Sequence, residues 1–350
     1  MRRRTILSCM VLAGTTIAAV SVGGTAPAGA QAVEDWTVVA GNFFGDGRDE
    51  SFLYQEGTAP DALRSLTNGG VPGGTATASF VEYTVNGSYR PFTGDFDGDN
   101  FDEIFWYGPG SRPDFIWHFA DSRHFRTQAV SVSGNYTPLP GDFNGDNIDD
   151  IFWYGPGTAP DTLWLNRRGS ASPISLARTV NGNFRPVVAS IGKDATDDIV
   201  WYRPGTGADI VWDFTRLTRT HTQFLITVNG SYNPVALDSF GDGPRGDDIW
   251  WMAPGAAADP FWDYENGVRV EPPGSQLPVV TNWKVTVGDY FGDGMEDADM
   301  NTFTSEVIRD FTIINGEFVY VDYVSTAAAA MGGDLGDKSS GAGEPQQRAR

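Results

Sequence analysis

Five carboxylates stand within nine consecutive positions: Asp95, Asp97, Asp99, Asp102 and Glu103. Ionised side chains crowded in this way repel one another. A hard cation with many oxygen ligands removes the repulsion, and a flexible cage of this kind suits calcium (Ca2+), bound at about 2.3–2.6 Å. Gly98 lets the backbone curl around the ion, and Phe101, at position seven, would add its carbonyl oxygen. The arrangement recurs 47 residues later with Asp142, Asn144, Asp146 and Asp150, and Ile148 at position seven. Two further copies keep positions one, five and nine, as Asn42, Asp46 and Glu50 and as Asp289, Asp293 and Asp297, but carry Phe44 and Phe291 at position three. A copy at Ser190, Gly192 and Lys193 lacks the ligands and is expected to bind no metal; another, from Asp238, has two extra residues before Asp247 and Asp248. The alternative is that these acids are turn residues capping their own backbone N–H groups.

An EF-hand does not fit. That loop needs a bidentate Glu at position 12, where Trp106 and Trp153 stand, and it needs flanking helices. His118, His124 and His221 do not recur in phase, so they read as surface or internally satisfied residues, and no G-x-S-x-G elbow or H-E-x-x-H helix is present. A glycosidase needs only two carboxylates about 5–9.5 Å apart, and 45 acids offer many pairs. A hydrolase or lyase acting on polysaccharide therefore stands as the alternative to a non-catalytic binding module.

The acidic phrase belongs to a longer repeat. GDFDGDNFDEIFWYGPG begins at Gly94 and GDFNGDNIDDIFWYGPG at Gly141, with weaker copies from Gly41, Ala189, Asp238 and Gly288. Before it comes N-G-S-Y-R-P at Asn86, echoed from Ser133, Asn181 and Asn229; after it come a Pro-Gly turn and an Asp that opens a short apolar run, at Asp114, Asp161, Asp209 and Asp259. Each unit thus holds several short strands divided by Gly, Pro and Asn turns. The run Ile151-Phe152-Trp153-Tyr154 is apolar on both faces and must be covered on both. Sheets arranged radially supply those covers, and a period of 47–53 residues suits a four-stranded blade. The expectation is an all-β, six-bladed β-propeller over residues 35–323, with seven blades as the alternative. Trp106, Trp153, Trp201 and Trp251 form one equivalent set and Trp117, Trp164, Trp212 and Trp262 another; they read as packing between blades before they read as platforms for sugar rings. Residues 69–78 and 271–278 depart from the pattern and are candidates for a binding rim.

These segments resemble the FG-GAP or VCBS repeats of integrin α-subunit propellers and of secreted bacterial proteins. The resemblance covers nearly the whole chain after residue 34 and rests on the D-x-[DN]-x-D-x-x-x-[DE] spacing repeated in register. It implies a β-propeller whose loops, between the first two strands of a blade, hold calcium on one face, with other ligands bound elsewhere.

Composition agrees with an exported protein. Residues 1–30 carry Arg2, Arg3 and Arg4, an apolar run and the small-residue site Ala28-Gly29-Ala30, so a signal peptide cleaved after Ala30 is expected, by the general secretory or the twin-arginine route. The one cysteine, Cys9, leaves with it, and stability must come from packing or bound ions. The formal net charge of −21 repels a phosphate backbone and argues against nucleic acid as a partner. No stretch after residue 30 is apolar enough for stable membrane insertion. Residues 324–350 lack the aromatic content to offset ordering entropy and read as a disordered tail. The functional expectation is a secreted, calcium-binding propeller that binds an extracellular glycan or protein.

Overall fold

The computed structural model describes residues 36–67, 77–170, 172–192, 194–239, 246–255, 258–265, 267–270, 276–278, 284–301, 305–314, 317–326 and 346–349. Among them there is no helix. The first sheet holds β1 (Trp36–Gly41), β2 (Glu50–Gln55), β3 (Asp61–Thr67) and β4 (Thr77–Tyr83). The second holds β5 (Arg90–Gly94), β6 (Glu103–Tyr107), β7 (Asp114–Asp121) and β8 (His124–Val130). The third holds β9 (Thr137–Gly141), β10 (Asp150–Tyr154), β11 (Asp161–Leu165) and β12 (Ile174–Arg178). The fourth holds β13 (Arg185–Ala189), β14 (Asp198–Tyr202), β15 (Asp209–Phe214) and β16 (His221–Ile226). The fifth holds β17 (Asn233–Leu237), β18 (Asp248–Met252), β19 (Ala258–Glu265) and β20 (Val268–Val270), with β21 (Gln276–Pro278) paired to β19. These five antiparallel sheets are successive blades of a β-propeller. A further sheet follows: β22 (Lys284–Gly288), β23 (Asp297–Asn301), β24 (Ser305–Ile314), β25 (Glu317–Thr326) and β26 (Gln346–Ala349).

Burial follows from the radial arrangement. The second strand of each middle blade, such as β6, β10, β14 and β18, is buried at every residue, because both faces lie against neighbouring sheets. The fourth strands β8 and β16 are largely exposed. Trp106, Trp153, Trp201 and Trp251 are fully buried. Each meets the tyrosine of the preceding blade edge to face, as Trp106 does Tyr54 at 5.2 Å and Trp153 does Tyr107 at 5.2 Å. Four indoles placed alike are thus core groups, and truncating one of them costs about 3–5 kcal/mol.

The other landmarks join blades. The Tyr107 hydroxyl donates to Gly134 O at 2.7 Å and accepts from Tyr136 N at 3.0 Å, and Tyr54, Tyr154 and Tyr202 repeat both bonds with the next N-G segment. Backbone bridges pair the Pro-Gly turn with the same segment, Gly110 with Gly134 and Gly157 with Gly182. In the first four blades the aspartate opening the third strand fixes the connection from the other side: Asp114 Oδ1 accepts from Gly108 N at 2.7 Å and its Oδ2 from Val132 N at 2.6 Å, and Asp61, Asp161 and Asp209 do the same. Tyr107→Phe is expected to lower unfolding free energy by about 1 kcal/mol, since it takes the acceptor from the half-buried Tyr136 N–H and one of two donors from Gly134 O, which keeps its bond from Gly110 N; urea titration of the variant checks this.

A second set of links joins the acidic loops. The carboxylate at position eight of one loop accepts the position-one N–H of the loop before it, and its own N–H donates back to that residue's carbonyl. Asp102 does this to Asn42 at 2.8 and 3.1 Å, and Asp149 does it to Asp95 at 2.9 and 2.8 Å. Asp197 links to Asp142, Asp247 to Ser190, Glu296 to Asp238, and Asp49 back to Asp289. The reach explains a glycine: a Cβ at Gly94 would lie 2.6 Å from Asp149 Oδ2.

One seam differs. At two other seams a second-strand phenylalanine faces the third-strand tryptophan of the next blade: Phe52 faces Trp117 at 5.9 Å and Phe152 faces Trp212 at 5.8 Å. By register the same two positions are Asp299 on β23 and Arg64 on β3. They form a buried ion pair, with side chains 1% and 3% exposed.

The expected signal peptide and the rim residues 69–76, 271–275 fall outside the described residues. β25 runs through Thr326, and Gln346–Ala349 pair antiparallel with its Val319–Asp322 stretch; residues 327–345 and 350 of the tail also lie outside the described residues.

Candidate functional site

Each acidic loop leaves the first strand of its sheet and enters the second, so the loops share one end of the sheets. In the second loop Asp95 Oδ1 accepts from Gly98 N at 2.7 Å and Asp99 N at 3.1 Å, and its Oδ2 accepts from Asn100 N at 2.9 Å. This closure needs left-handed backbone, which Gly98 (φ 78°) and Asn100 (φ 70°) supply. Asp142 closes the third loop on Gly145, Asp146 and Asn147 in the same way, and Asp289 closes the last on Gly292, Asp293 and Gly294. In the first loop Asn42 Oδ1 accepts from Asp46 N at 3.1 Å. The turn-capping role is therefore real in these loops. It does not use up the carboxylates: the Oδ2 atoms of Asp95, Asp142 and Asp289 each accept one of these bonds and keep a second lone pair.

The second loop gathers most. Oxygens of Asp95, Asp97 and Asp99 lie within 4.8 Å of one another. Asp97 Oδ1 is buried and has no hydrogen-bond partner among the described residues. In the third loop the Asn144 amide donates to Asp150 Oδ2 at 3.0 Å, and Asp146 Oδ1 accepts from Ile148 N at 3.1 Å. Asp46 and Asp293 cap the residues two places on, Arg48 and Met295, and Asp297 Oδ2 accepts from Tyr290 N at 3.0 Å. Phe101 and Ile148 cover the glycine of the preceding loop: a Cβ at Gly45 would meet Phe101 Cε1 at 2.5 Å, and one at Gly98 would meet Ile148 Cγ1 at 2.9 Å.

The charge balance of these loops is strained. Burial, reinforced by neighbouring carboxylates, pushes Glu50 up to about 8, Glu103 to about 9, Asp150 to about 9 and Asp198 to about 8. At position eight, burial and then the adjoining acids raise Asp49 to about 7 and Asp197 to about 7; burial raises Asp102 to about 6. Each of these groups gains by a nearby cation.

His118, on β7, is not at the surface, which is one of the two readings its sequence context allows. It is buried, and its Nδ1 lies 3.1 Å from Glu103 Oε1 and 3.2 Å from Asp97 Oδ2. The Arg126 guanidinium, from β8, reaches the same point, 2.8 Å from Asp97 Oδ2 and 2.9 Å from His118 Nδ1. Burial and then Arg126 hold the imidazole below its usual range. The signal was in the repeat: four residues after the strand-opening aspartate come Ser65, His118, Leu165, Asp213 and Asp263, polar in four of five copies although a strand interior is expected. His124 pairs with Asp121 at the surface, and His221 stacks on Trp212 at 3.9 Å.

Two cavities accompany the loops. One, of about 50 Å3, lies between the second and third sheets, beside His118, Asp97, Gln128, Phe105 and Trp164. The other, of about 480 Å3, is lined from the inner strands and loops by Ser190, Asp197, Asp238, Asp247, Asp289 and Glu296.

No protein-family model matches the sequence, and no curated protein does. Among solved structures the chain is similar to a lectin of Agrocybe aegerita, described for specific recognition of non-reducing terminal N-acetylglucosamine. The match has a TM-score of 0.52 and 14% identity, and covers 91% of this chain and 86% of that one. It is also similar to part of the Tc holotoxin pore of Photorhabdus luminescens, with a TM-score of 0.50 and 18% identity, covering 81% of this chain but 13% of that one. At these identities the likeness is one of fold: a β-propeller, shared with a lectin.

Proposed function

We propose that the chain is an exported, six-bladed propeller of the FG-GAP/VCBS type that binds an extracellular glycan and performs no catalysis. The cavity of about 480 Å3 carries this reading: it has the volume of a small-ligand site, and its rim of carboxylates and one serine offers acceptors to sugar hydroxyls. The ligand of the Agrocybe aegerita lectin points to the same class. Six blades are supported by the carboxylate links that tie the β22–β26 sheet on one side to Asp238 and on the other to Asp49. Calcium is supported by the gathered oxygens of Asp95, Asp97 and Asp99 and by the unpartnered Asp97 Oδ1. When bound there it would supply positive charge to the loop, while the carboxylates, already closed on the backbone, hold it in place. Export is supported by the pattern of residues 1–30.

A glycan array that includes terminal N-acetylglucosamine, followed by product analysis, tests the function. Retention without cleavage is expected. New reducing ends would instead establish the polysaccharide hydrolase or lyase reading, and silence toward glycans with capture of a protein ligand would move the site's partner to that class.

A further inference from the structure

We propose that Asp97, Glu103 and His118 form a second metal site, on the inner side of the second acidic loop, that takes a divalent transition ion of the zinc or manganese class in preference to calcium. One ligand atom from each of the three lies within 4.8 Å of the others. The donor set decides between ions, and the spacings admit one. Ligands about 2.0–2.2 Å from a common ion stand roughly 3.0–3.4 Å apart, which fits the 3.1 and 3.2 Å between His118 Nδ1 and its two carboxylates. Calcium prefers six to eight oxygen ligands, so a cluster built around an imidazole nitrogen suits it less. An imidazole nitrogen among carboxylates suits zinc, manganese or cobalt.

Three observations beyond the acids point to a ligand. His118 is 6% exposed, so it is a buried polar side chain; its Nδ1 faces both carboxylates and its Nε2, across the ring, has no hydrogen-bond partner among the described residues. Asp97 Oδ1 is likewise buried and unpartnered. The cavity of about 50 Å3 beside His118 has room for the water molecules that complete a coordination sphere. Arg126 holds the place of the cation: its guanidinium touches both Asp97 and His118, yet its side chain is 60% exposed and can swing away. None of the other loops pairs its acids with an imidazole, so the site belongs to this blade alone; it shares Asp97 with the Asp95–Asp97–Asp99 side, Oδ2 facing His118 and Oδ1 left for calcium.

Cobalt titration of the chelator-stripped protein tests this. Visible d–d bands are expected to appear at one equivalent, to be removed by zinc, and to persist in millimolar calcium. His118→Gln is expected to lower cobalt affinity by at least about 100-fold, with calcium binding unchanged by isothermal titration. Arg126→Gln removes a competitor worth an exposed ion pair and is expected to tighten cobalt about fivefold. No bands, or bands that calcium abolishes, or bands indifferent to His118→Gln, would overturn the assignment. If His118→Gln unfolds, the Arg126→Gln gain decides alone: unchanged or weaker affinity refutes the site. Failure of calcium to bind, with the cobalt bands intact, would count against the calcium reading only.

Discussion

Arg64→Met is expected to cost about 3–5 kcal/mol of stability, because it leaves the Asp299 carboxylate in a buried seam without its guanidinium. The decisive comparison is the double variant Arg64→Trp, Asp299→Phe, which installs the pair that the Phe52–Trp117 and Phe152–Trp212 seams carry at those positions. Buried ion pairs replaced by packed apolar groups of similar size are often neutral or more stable. The double variant should therefore regain most of the loss, and chemical denaturation of the single and double variants measures both. A single variant as stable as the parent would show that the pair contributes little to holding β3 against β23. A double variant no better than the single would show that this seam is shaped for the ion pair and not for rings.

Chelator is expected to make the protein less stable as pH rises. The buried loop acids have folded-state values of about 6 to 9, above those of an unfolded carboxyl, so folding takes up protons. Their stabilising effect is complete below about pH 4, where folded and unfolded chains are both protonated, and is lost as pH climbs through 6 to 9. Calcium acts in the opposite direction, since it binds the ionised form. Two sites at tenfold saturation would contribute about 3 kcal/mol at pH 7.5, or roughly 5 °C in melting temperature, and much less at pH 5. Melting curves in chelator and in calcium across pH 5–8 check both signs. A calcium-insensitive midpoint at pH 7.5 would count against structural metal.

Much of the fold could be read in the chain because its landmarks are local. The fully apolar Ile151–Tyr154 run required cover on both faces, and β10 has it. The Pro-Gly and N-G phrases marked turns, and the structure adds that they pair with each other across the blade. What escaped are partnerships between copies. Asp102 stood among the crowded acids as one more candidate for an ion, whereas its carboxylate holds Asn42, 60 residues away. Sequence spacing cannot report such a reach. His118 escaped for a related reason. It lies on a different strand from the acids it faces, and only lining up the third strands of all copies exposes that position as polar.

The position-eight links run through the backbone of the residue they grip, so the side chain at that place has no part in holding neighbours together. Asn42, Asp95, Asp142, Ser190, Asp238 and Asp289 occupy it, and every one is gripped alike. Mechanical continuity and ion affinity are thereby uncoupled. A copy such as that of Ser190 can surrender its ligands and remain a full member of the assembly, which leaves individual turns open to acquire new chemistry without risk to the rest.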